Sequence, residues 1–307
     1  MIKVLDLAMK RWNAYWFRPI PVLNIAICRI IIVAALLINL VTATSIKRLL
    51  ILSNLPDSLY NPHSLIKLLC LPFGWNYRPP FALLEIIYWF TLIAGLTSLI
   101  GLKTNISLLT FAGGNIFLRA YTYSFGAIYH VDAVIVMAVS VLALSPSGRV
   151  LSLDALQHRH RQLNLMDRDN VAARWSLLLI QWIFAITYFD AAISKLTSGA
   201  SLISLDWMNG YTLQAYLLKP GKPGFHLGNW LGQNHRLALI SSWIAILFEG
   251  TFPVVLIFRK LVWIYIPLGI LLHTGIFLTM GLPFLMLMAT YVVFIPWSSV
   301  IKTLSRR

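Results

Sequence analysis

Residues 174–196 read RWSLLLIQWIFAITYFDAAISKL, and this stretch decides the fold class. At about 1.5 Å per residue, a helix of this length crosses a hydrocarbon core of about 30 Å. Gln181, Tyr188 and Lys195 recur at seven-residue spacing, which keeps them on one stripe of that helix. An ammonium beside such an apolar run pairs with a partner, snorkels to the interface or does chemistry, and the position of Lys195 leaves all three open.

The composition of the whole chain is that of an integral membrane protein. Of its 307 residues, 59% are hydrophobic and only 11% are charged, and the mean hydropathy is +0.76. The 25 Lys and Arg residues outnumber the 10 Asp and Glu residues. Because the basic residues cluster in the breaks between apolar runs, they predict topology signals and contacts with membrane lipids rather than a nucleic-acid surface.

Apolar windows predict an all-α, polytopic helical membrane protein with a single domain over residues 1–307. Almost no loop separates some of the windows, so seven spans or a re-entrant pair are alternatives to eight. The first window could also be a signal peptide, but Arg29 interrupts it and no small-x-small cleavage site follows. The predicted spans lie near 21–44, 81–101, 105–124, 127–145, 174–196, 237–258, 261–279 and 283–300, with an interfacial helix near 206–218.

The distribution of basic residues predicts the orientation. With a cytoplasmic N-terminus, fifteen Lys and Arg residues fall in inside segments and seven in outside segments. The positive-inside rule therefore predicts both termini in the cytoplasm of a cell with an inner or plasma membrane. In that orientation Lys195, His130, His273 and Arg119 all lie at the depth of the outer leaflet. Ionisable groups inside a membrane are functional candidates, so we predict a site that faces outside.

Each candidate also has a plain structural interpretation. His130 follows several tyrosines, as a hydrogen-bonded histidine at an interface would, and Arg119 suits an ion pair between helices. His273 lies deeper in its span. The two cysteines, Cys28 and Cys70, predict neither a disulfide framework nor a zinc site, and we expect no bound metal. No hydrolase, metalloprotease or phosphate-loop motif appears.

Several motifs together resemble a known family. Tyr188-Phe189-Asp190-Ala191-Ala192-Ile193-Ser194-Lys195-Leu196, followed by Asp206-Trp207-Met208-Asn209-Gly210-Tyr211, resembles a Y-F-x-A-G-x-x-K-L…W-x-x-G segment. That segment belongs to the membrane domain of vitamin K-dependent gamma-carboxylase, also called the horizontally transferred transmembrane (HTTM) domain. Further matches are Tyr129-His130, Leu151-Ser152-Leu153-Asp154, Phe248-Glu249-Gly250 and Leu272-His273. Ser194 and Ala192 depart from the pattern of the carboxylases.

The resemblance implies a chemistry. The lysine that matches Lys195 is the base that deprotonates vitamin K hydroquinone, and the histidines that match His130 and His273 assist it. The implied cofactor is a reduced quinone of the vitamin K or menaquinone type. We expect it to be bound by Tyr188, Gln181, Arg119 and Trp207.

Two other functions stay open. The first is a non-catalytic factor that binds lipid or a secreted peptide during its maturation or export, with Lys195 pairing with a carboxylate or a head group. The second is a transporter, for which Pro253 and Pro267 are candidate helix breaks. The halves of the sequence show no convincing repeat, which disfavours the transporter.

Overall fold

The computed structural model describes residues 2–126, 130–157, 169–197, 206–218 and 226–306. Within these ranges the chain is almost entirely helical. Two strands of two residues each, Ile20–Pro21 (β1) and Asp169–Asn170 (β2), pair antiparallel. The prediction of an all-α polytopic membrane protein is confirmed.

The helices follow one another along the chain with short connections. They are α1 (Ile2–Phe17), α2 (Val22–Thr42), α3 (Ile46–Ser53), α4 (Ser64–Leu69), α5 (Phe81–Ile100), α6 (Thr104–Tyr123), α7 (His130–Ala143), α8 (Leu153–Gln157), α9 (Val171–Leu196), α10 (Tyr211–Leu217), α11 (His226–Gln233), α12 (His235–Thr251), α13 (Val254–Ile257), α14 (Val262–Met280), α15 (Leu285–Thr290) and α16 (Trp297–Leu304). Short 3-10 helices lie at Asp57–Leu59, Leu71–Phe73, Arg259–Leu261 and Tyr291–Phe294.

Five helical segments of the described chain are long and apolar enough to cross a membrane. They are Val22–Thr42, Phe81–Ile100, Val171–Leu196, His235–Ile257 and Arg259–Met280. Each agrees with a predicted span to within about three residues, as expected for long apolar segments. Helix α6 has 20 residues, but its polar residues make it less apolar than these five. The apolar part of α7, Asp132–Ala143, is shorter than a span, and residues 127–129 lie outside the described chain. Eight spans therefore stay a prediction.

The segment predicted as the eighth span is not one continuous helix. Leu285–Phe294 and Trp297–Leu304 are bent by 75° relative to each other. The break falls at Ile295 and Pro296, because a proline disfavours the helical conformation of the residue before it. The predicted interfacial helix near 206–218 is shorter than expected, since its helical part is α10, preceded by a turn.

The chain divides into two compact units. Unit 1 comprises Met1–Ile180 and Ile295–Arg307, and unit 2 comprises Gln181–Phe294. The single domain predicted from the sequence stays a prediction.

Small residues let the helices of unit 1 pack closely. A Cβ atom at Gly114 of α6 would lie 1.8 Å from the hydroxyl oxygen of Thr91 on α5. A Cβ atom at Gly95 would lie 2.4 Å from the side chain of Leu37 on α2. Side chains at either position would push the helices apart, so glycine is required there for backbone approach.

Arg29 ties the first span of unit 1 to the turn after α7. It is fully buried, and its guanidinium donates to the carbonyl oxygens of Ser147 at 3.0 Å and Leu151 at 2.5 Å. The next acidic residue along the chain, Asp154, accepts hydrogen bonds from the backbone of Lys103 and Thr104 at 2.8 Å. These bonds satisfy free N–H groups at the start of α6.

Aromatic rings form the core of unit 2. Phe184 of α9 lies at the centre, with ring centroids 5.0–5.4 Å from those of Tyr188, Tyr291, Phe252 and Phe294. Tyr188 stacks on Phe252 at 4.7 Å. These rings hold the last half of α9 against α12 and the segment after α15, which fixes the position of the polar residues of α9.

Candidate functional site

The polar stripe of α9 faces the inside of the protein. Gln181 and Tyr188 are almost fully buried, and the side chain of Lys195 is 18% exposed. Ile186 and Ile193 on the other side of the same helix are exposed, as expected for a helix that meets lipid on one face. The seven-residue spacing therefore places three polar groups at successive depths along one wall of unit 2.

Lys195 pairs with a carboxylate of α12. Its Nζ atom lies 2.5 Å from Oε2 of Glu249. It also donates to the carbonyl oxygen of Ala191 at 3.4 Å and lies 5.4 Å from the centroid of the Trp207 ring. Of the three fates left open by the sequence, snorkelling alone is excluded by this geometry, because the ammonium points at a largely buried partner.

The ion pair forms part of the wall of a cavity in unit 2. The cavity has a volume of about 520 Å³ and is lined mostly by apolar side chains of α10, α12 and α14. Trp207, Tyr216 and Phe284 contribute aromatic surface, and Ser241 and Thr279 contribute hydroxyls. Few convergent polar groups in an apolar cavity of this size are typical of a small-molecule site.

Trp207 is held in place from two sides. Its carbonyl oxygen accepts a hydrogen bond from the hydroxyl of Ser242 at 2.5 Å. Its ring stacks on Tyr216 of α10, with centroids 6.1 Å apart. The structure thus places the indole both in the cavity wall and beside the ammonium of Lys195, an arrangement that favours a cation through the ring face.

A chain of buried hydroxyl and imidazole groups lies in the aromatic core. The hydroxyl of Tyr188 is 2.5 Å from Nε2 of His273 and 2.5 Å from the hydroxyl of Tyr291. All three residues are at most 3% exposed. Nδ1 of His273 has no hydrogen-bond partner among the described residues. The chain can therefore hold its protons in two opposite directions, depending on which nitrogen of His273 carries hydrogen.

His273 reaches the cavity through a neighbour. Its ring stacks on Phe284 with centroids 4.9 Å apart, and Phe284 lines the cavity while His273 does not. A Cβ atom at Gly269, one turn earlier on α14, would lie 2.1 Å from the hydroxyl oxygen of Tyr291. Gly269 is thus needed for the tyrosine hydroxyl to occupy its place.

Gln181 contacts polar groups at the other end of the stripe. Its amide nitrogen donates to the carbonyl oxygen of Val293 at 2.5 Å, and its amide oxygen accepts from Arg259 at 2.5 Å. Gln181 is not among the residues that line the cavity. Its contacts join α9 to the ends of two neighbouring segments, so the structure gives it a packing role.

The two remaining predicted site residues belong to unit 1. Arg119 of α6 forms an ion pair with Asp132 of α7 at 2.5 Å and donates to the side-chain oxygen of Asn39 on α2 at 2.5 Å. Tyr123 donates to the same carboxylate at 3.0 Å. His130 is the first residue of α7, and its side chain lies outside the described part of the structure. The ion-pair interpretation of Arg119 matches these contacts.

Sequence reasoning missed the specific partners of the predicted residues. Glu249 was recognised as a charge within an apolar run, but nothing in the sequence assigned it to Lys195. Tyr291 and Phe284 carried no distinguishing signal. A deeply buried acid and a lysine on neighbouring spans are the only local indication that such a pair could form.

Comparison with protein families agrees with the architecture. A family model described as the HTTM domain matches residues 17–298, nearly the whole chain. No curated protein and no solved structure gives a significant match. The match includes α2 to the start of α16, and with it Lys195, Glu249 and His273. This chain therefore belongs to the HTTM domain family.

Proposed function

We propose that this protein is a membrane enzyme related to the gamma-carboxylases, in which Lys195 withdraws a proton from a hydroxyl of a lipid-soluble quinol. The observation that carries the proposal is the contact of 2.5 Å between Lys195 and Glu249 in the wall of an apolar cavity. An ion pair in such a place is costly to desolvate. Its occurrence beside a cavity rather than inside solid packing favours a chemical role.

The pair can act as a base without a change in its net charge. Transfer of a proton from Nζ of Lys195 to Glu249 turns two charged groups into a neutral amine and a neutral acid. A low-dielectric surrounding favours the neutral forms. The amine then has a lone pair with which to accept a proton from a hydroxyl in the cavity, and the resulting ammonium lies beside the developing oxyanion.

The residues of the cavity fit a quinol. A volume of about 520 Å³ falls within the usual range of about 300–1,000 Å³ for small-molecule sites. The ring faces of Trp207 and Phe284 suit a planar head group, and the surrounding leucines and isoleucines suit its apolar substituents. A bound quinol would supply an acidic hydroxyl and two reducing electrons. Such a compound reaches the site from the bilayer, in which it dissolves.

The buried chain behind the cavity has a supporting role in the proposal. Tyr188, Tyr291 and His273 are too deeply buried to contact a ligand through the described cavity lining. Their short hydrogen bonds hold the imbalance of one proton by reversing direction. They would thereby stabilise charge that develops near Lys195. His130, which the family resemblance also implicates, stays a prediction.

Oxygen uptake tests the proposal directly. The purified protein in lipid nanodiscs is supplied with chemically reduced menaquinone-4, and its rate of oxygen consumption is measured. We expect Lys195→Met to lower this rate by about 100-fold or more, as for loss of a positioned base. The matched control is Lys302→Met, which removes an exposed lysine of α16 and should keep the wild-type rate. A Lys195→Met variant that is folded and fully active contradicts the proposal.

A second candidate function is binding without catalysis, of a lipid or of a secreted peptide. One observation favours it: Lys195 is already neutralised by Glu249 and contacts Trp207 and a backbone carbonyl, so the cavity is complete as a binding site. Mass spectrometry of molecules that copurify with the protein separates the two. A stoichiometric lipid or peptide together with no quinol-dependent oxygen uptake would favour this second function.

A further inference from the structure

A row of large apolar side chains lies uncovered on the segment between α4 and α5. Leu68, Leu69, Leu71, Phe73 and Trp75, here named the apolar ridge, are between 47% and 70% exposed. They occupy five of eight successive positions. So dense a cluster is unusual on a surface that meets water and marks a surface that meets another apolar phase.

The ridge stands on a firmly attached base. Directly before it, the backbone N–H groups of Asn61 and His63 donate to the backbone and side-chain oxygens of Ser124, at the end of α6, at 2.8 and 2.9 Å. Ile66 and Cys70, between and beside the ridge residues, are buried. The exposure is therefore a feature of a packed structure and not of a loose loop.

The chain after the ridge is attached as well. Arg78 donates to the carbonyl oxygens of Leu52 and Ser53 at 2.8 and 2.9 Å and pairs with Asp57 at 2.5 Å. The hydroxyl of Tyr60 donates to the carbonyl oxygen of Tyr77 at 3.0 Å. Both ends of the ridge are thus fixed to unit 1, which holds its apolar side chains in one orientation.

The position of the ridge indicates what covers it. Trp75 precedes Phe81, the first residue of a membrane span, by six residues, a reach of at most about 21 Å for an extended chain. The ridge is therefore close to the membrane–water interface. Tryptophan and tyrosine are enriched at that level, where Trp75 and Tyr77 are found.

The charges of this segment suit an anionic lipid surface. Residues 58–84 contain no Asp or Glu, but they contain Lys67 and Arg78. Arg78 is occupied by Asp57, whereas Lys67 borders the ridge in α4. A basic residue beside exposed Leu, Phe and Trp side chains is the composition of segments that lie in the interface of a bilayer.

We propose that the apolar ridge inserts into the leaflet at the end of the membrane where α5 begins, with Lys67 at the level of anionic lipid head groups. The segment between α2 and α5 is then a monotopic anchor that fixes the depth of unit 1. The inference is independent of the proposed enzymatic function, because it concerns a different unit and requires no ligand in the cavity.

Spin-label accessibility in nanodiscs tests the insertion. Single cysteines are placed, in a background of Cys28→Ala and Cys70→Ala, at Phe73 in the ridge, at Phe90 on the exposed face of α5 and at Ser305 near the C-terminus. We expect the label at Phe73 to collide with dissolved oxygen several-fold more than with a water-soluble nickel complex, as at Phe90. The label at Ser305 should show the opposite preference. A label at Phe73 that behaves like that at Ser305, or that is shielded from both reagents by a protein partner, overturns the proposal.

A measurement on the unaltered protein guards against a background that fails to fold. Wild-type protein in nanodiscs is exposed to a phospholipid that carries a photoreactive diazirine in its acyl chain, and labelled peptides are identified by mass spectrometry. We expect label on residues 68–75 in addition to the spans. Inclusion of phosphatidylglycerol should increase the ridge labelling, and Lys67→Gln should remove that increase. Absence of label from 68–75 while α5 is labelled refutes insertion.

Discussion

Two buried ion pairs of similar length lie in the two units and differ in their surroundings. In unit 1, Arg119 and Asp132 are joined at 2.5 Å and take further hydrogen bonds from Asn39 and Tyr123. In unit 2, Lys195 and Glu249 are also joined at 2.5 Å, but they form part of the wall of a cavity. The first pair is consumed by helix packing, whereas the second can meet a ligand.

The difference in side chains follows the difference in roles. Arginine stays charged and spreads its donors over a planar fork, so Arg119 can bridge α2, α6 and α7 at once. Lysine is a compact charge that can give up its proton when desolvated. The comparison therefore predicts that unit 1 loses stability and unit 2 loses function when its ion pair is removed.

The largest effect is expected for replacement of the whole pair in unit 2. The double variant Lys195→Met, Glu249→Leu replaces the charges by apolar groups of similar size, which often preserves stability. We expect unfolding temperature within a few degrees of wild type together with at least about a 100-fold loss of quinol-dependent oxygen uptake. Thermal unfolding and oxygen uptake are measured on the same preparation. Retained uptake by this variant would make the pair a structural feature, like that of unit 1.

The next largest effect is expected for Arg119. Its replacement by Met leaves Asp132 buried without its cation, a change that typically costs about 3–5 kcal/mol. We therefore expect a clear fall in the unfolding temperature in nanodiscs. Oxygen uptake per folded molecule serves as the control. A variant with normal stability and lost uptake would instead support the sequence-based assignment of Arg119 to cofactor binding.

A smaller effect is expected behind the cavity wall. Gly269→Ala introduces a Cβ atom into the place of the Tyr291 hydroxyl, and such overpacking typically costs about 1–3 kcal/mol. Gly275→Ala on the same helix is the matched control, because a Cβ atom there meets nothing within 4 Å. Denaturation of both variants compares the two costs. Equal stability would show that the position of Tyr291 adapts freely.

The smallest effect concerns Asp154 in the loop region of unit 1. Burial alone would raise its pKa, but hydrogen bonds from Thr104 and Lys103 and the charge of Arg29 lower the pKa below its usual value. A lowered folded-state pKa stabilises the fold above the unfolded value of about 3.9 and loses this contribution as the pH falls through the folded value. Asp154→Asn should therefore destabilise by about 1–2 kcal/mol at pH 7. The difference from wild type should shrink in unfolding scans below about pH 4. A difference independent of pH would contradict the assigned role of the charge.

Much of the fold could be predicted because hydropathy is a local property. The five long spans agree with the predicted windows to within about three residues. The segment 283–300 could not be predicted as one helix, since Pro296 interrupts it and the window average hides one residue. The same averaging counted α6 among the spans, although Asn105, Asn115 and Arg119 lower its apolar character.

The candidate site could be predicted only in part. Seven-residue spacing placed Gln181, Tyr188 and Lys195 on one face of α9, since helix geometry alone determines which residues share a face. Which of them meets a cavity depends on packing. Gln181 bonds to Val293 and Arg259, whereas Lys195 lines the cavity.

The sequence by itself determined that this protein spans a membrane, where its long helices begin and end, and which face of α9 is polar. These properties follow from composition and period along a continuous segment. Only the tertiary structure decided the partners. Lys195 and Glu249 are 54 residues apart, Tyr188 and His273 are 85 apart, and Tyr188 and Tyr291 are 103 apart. Their pairing depends on how several helices pack around one aromatic core, and no local pattern encodes a distance between such separated residues.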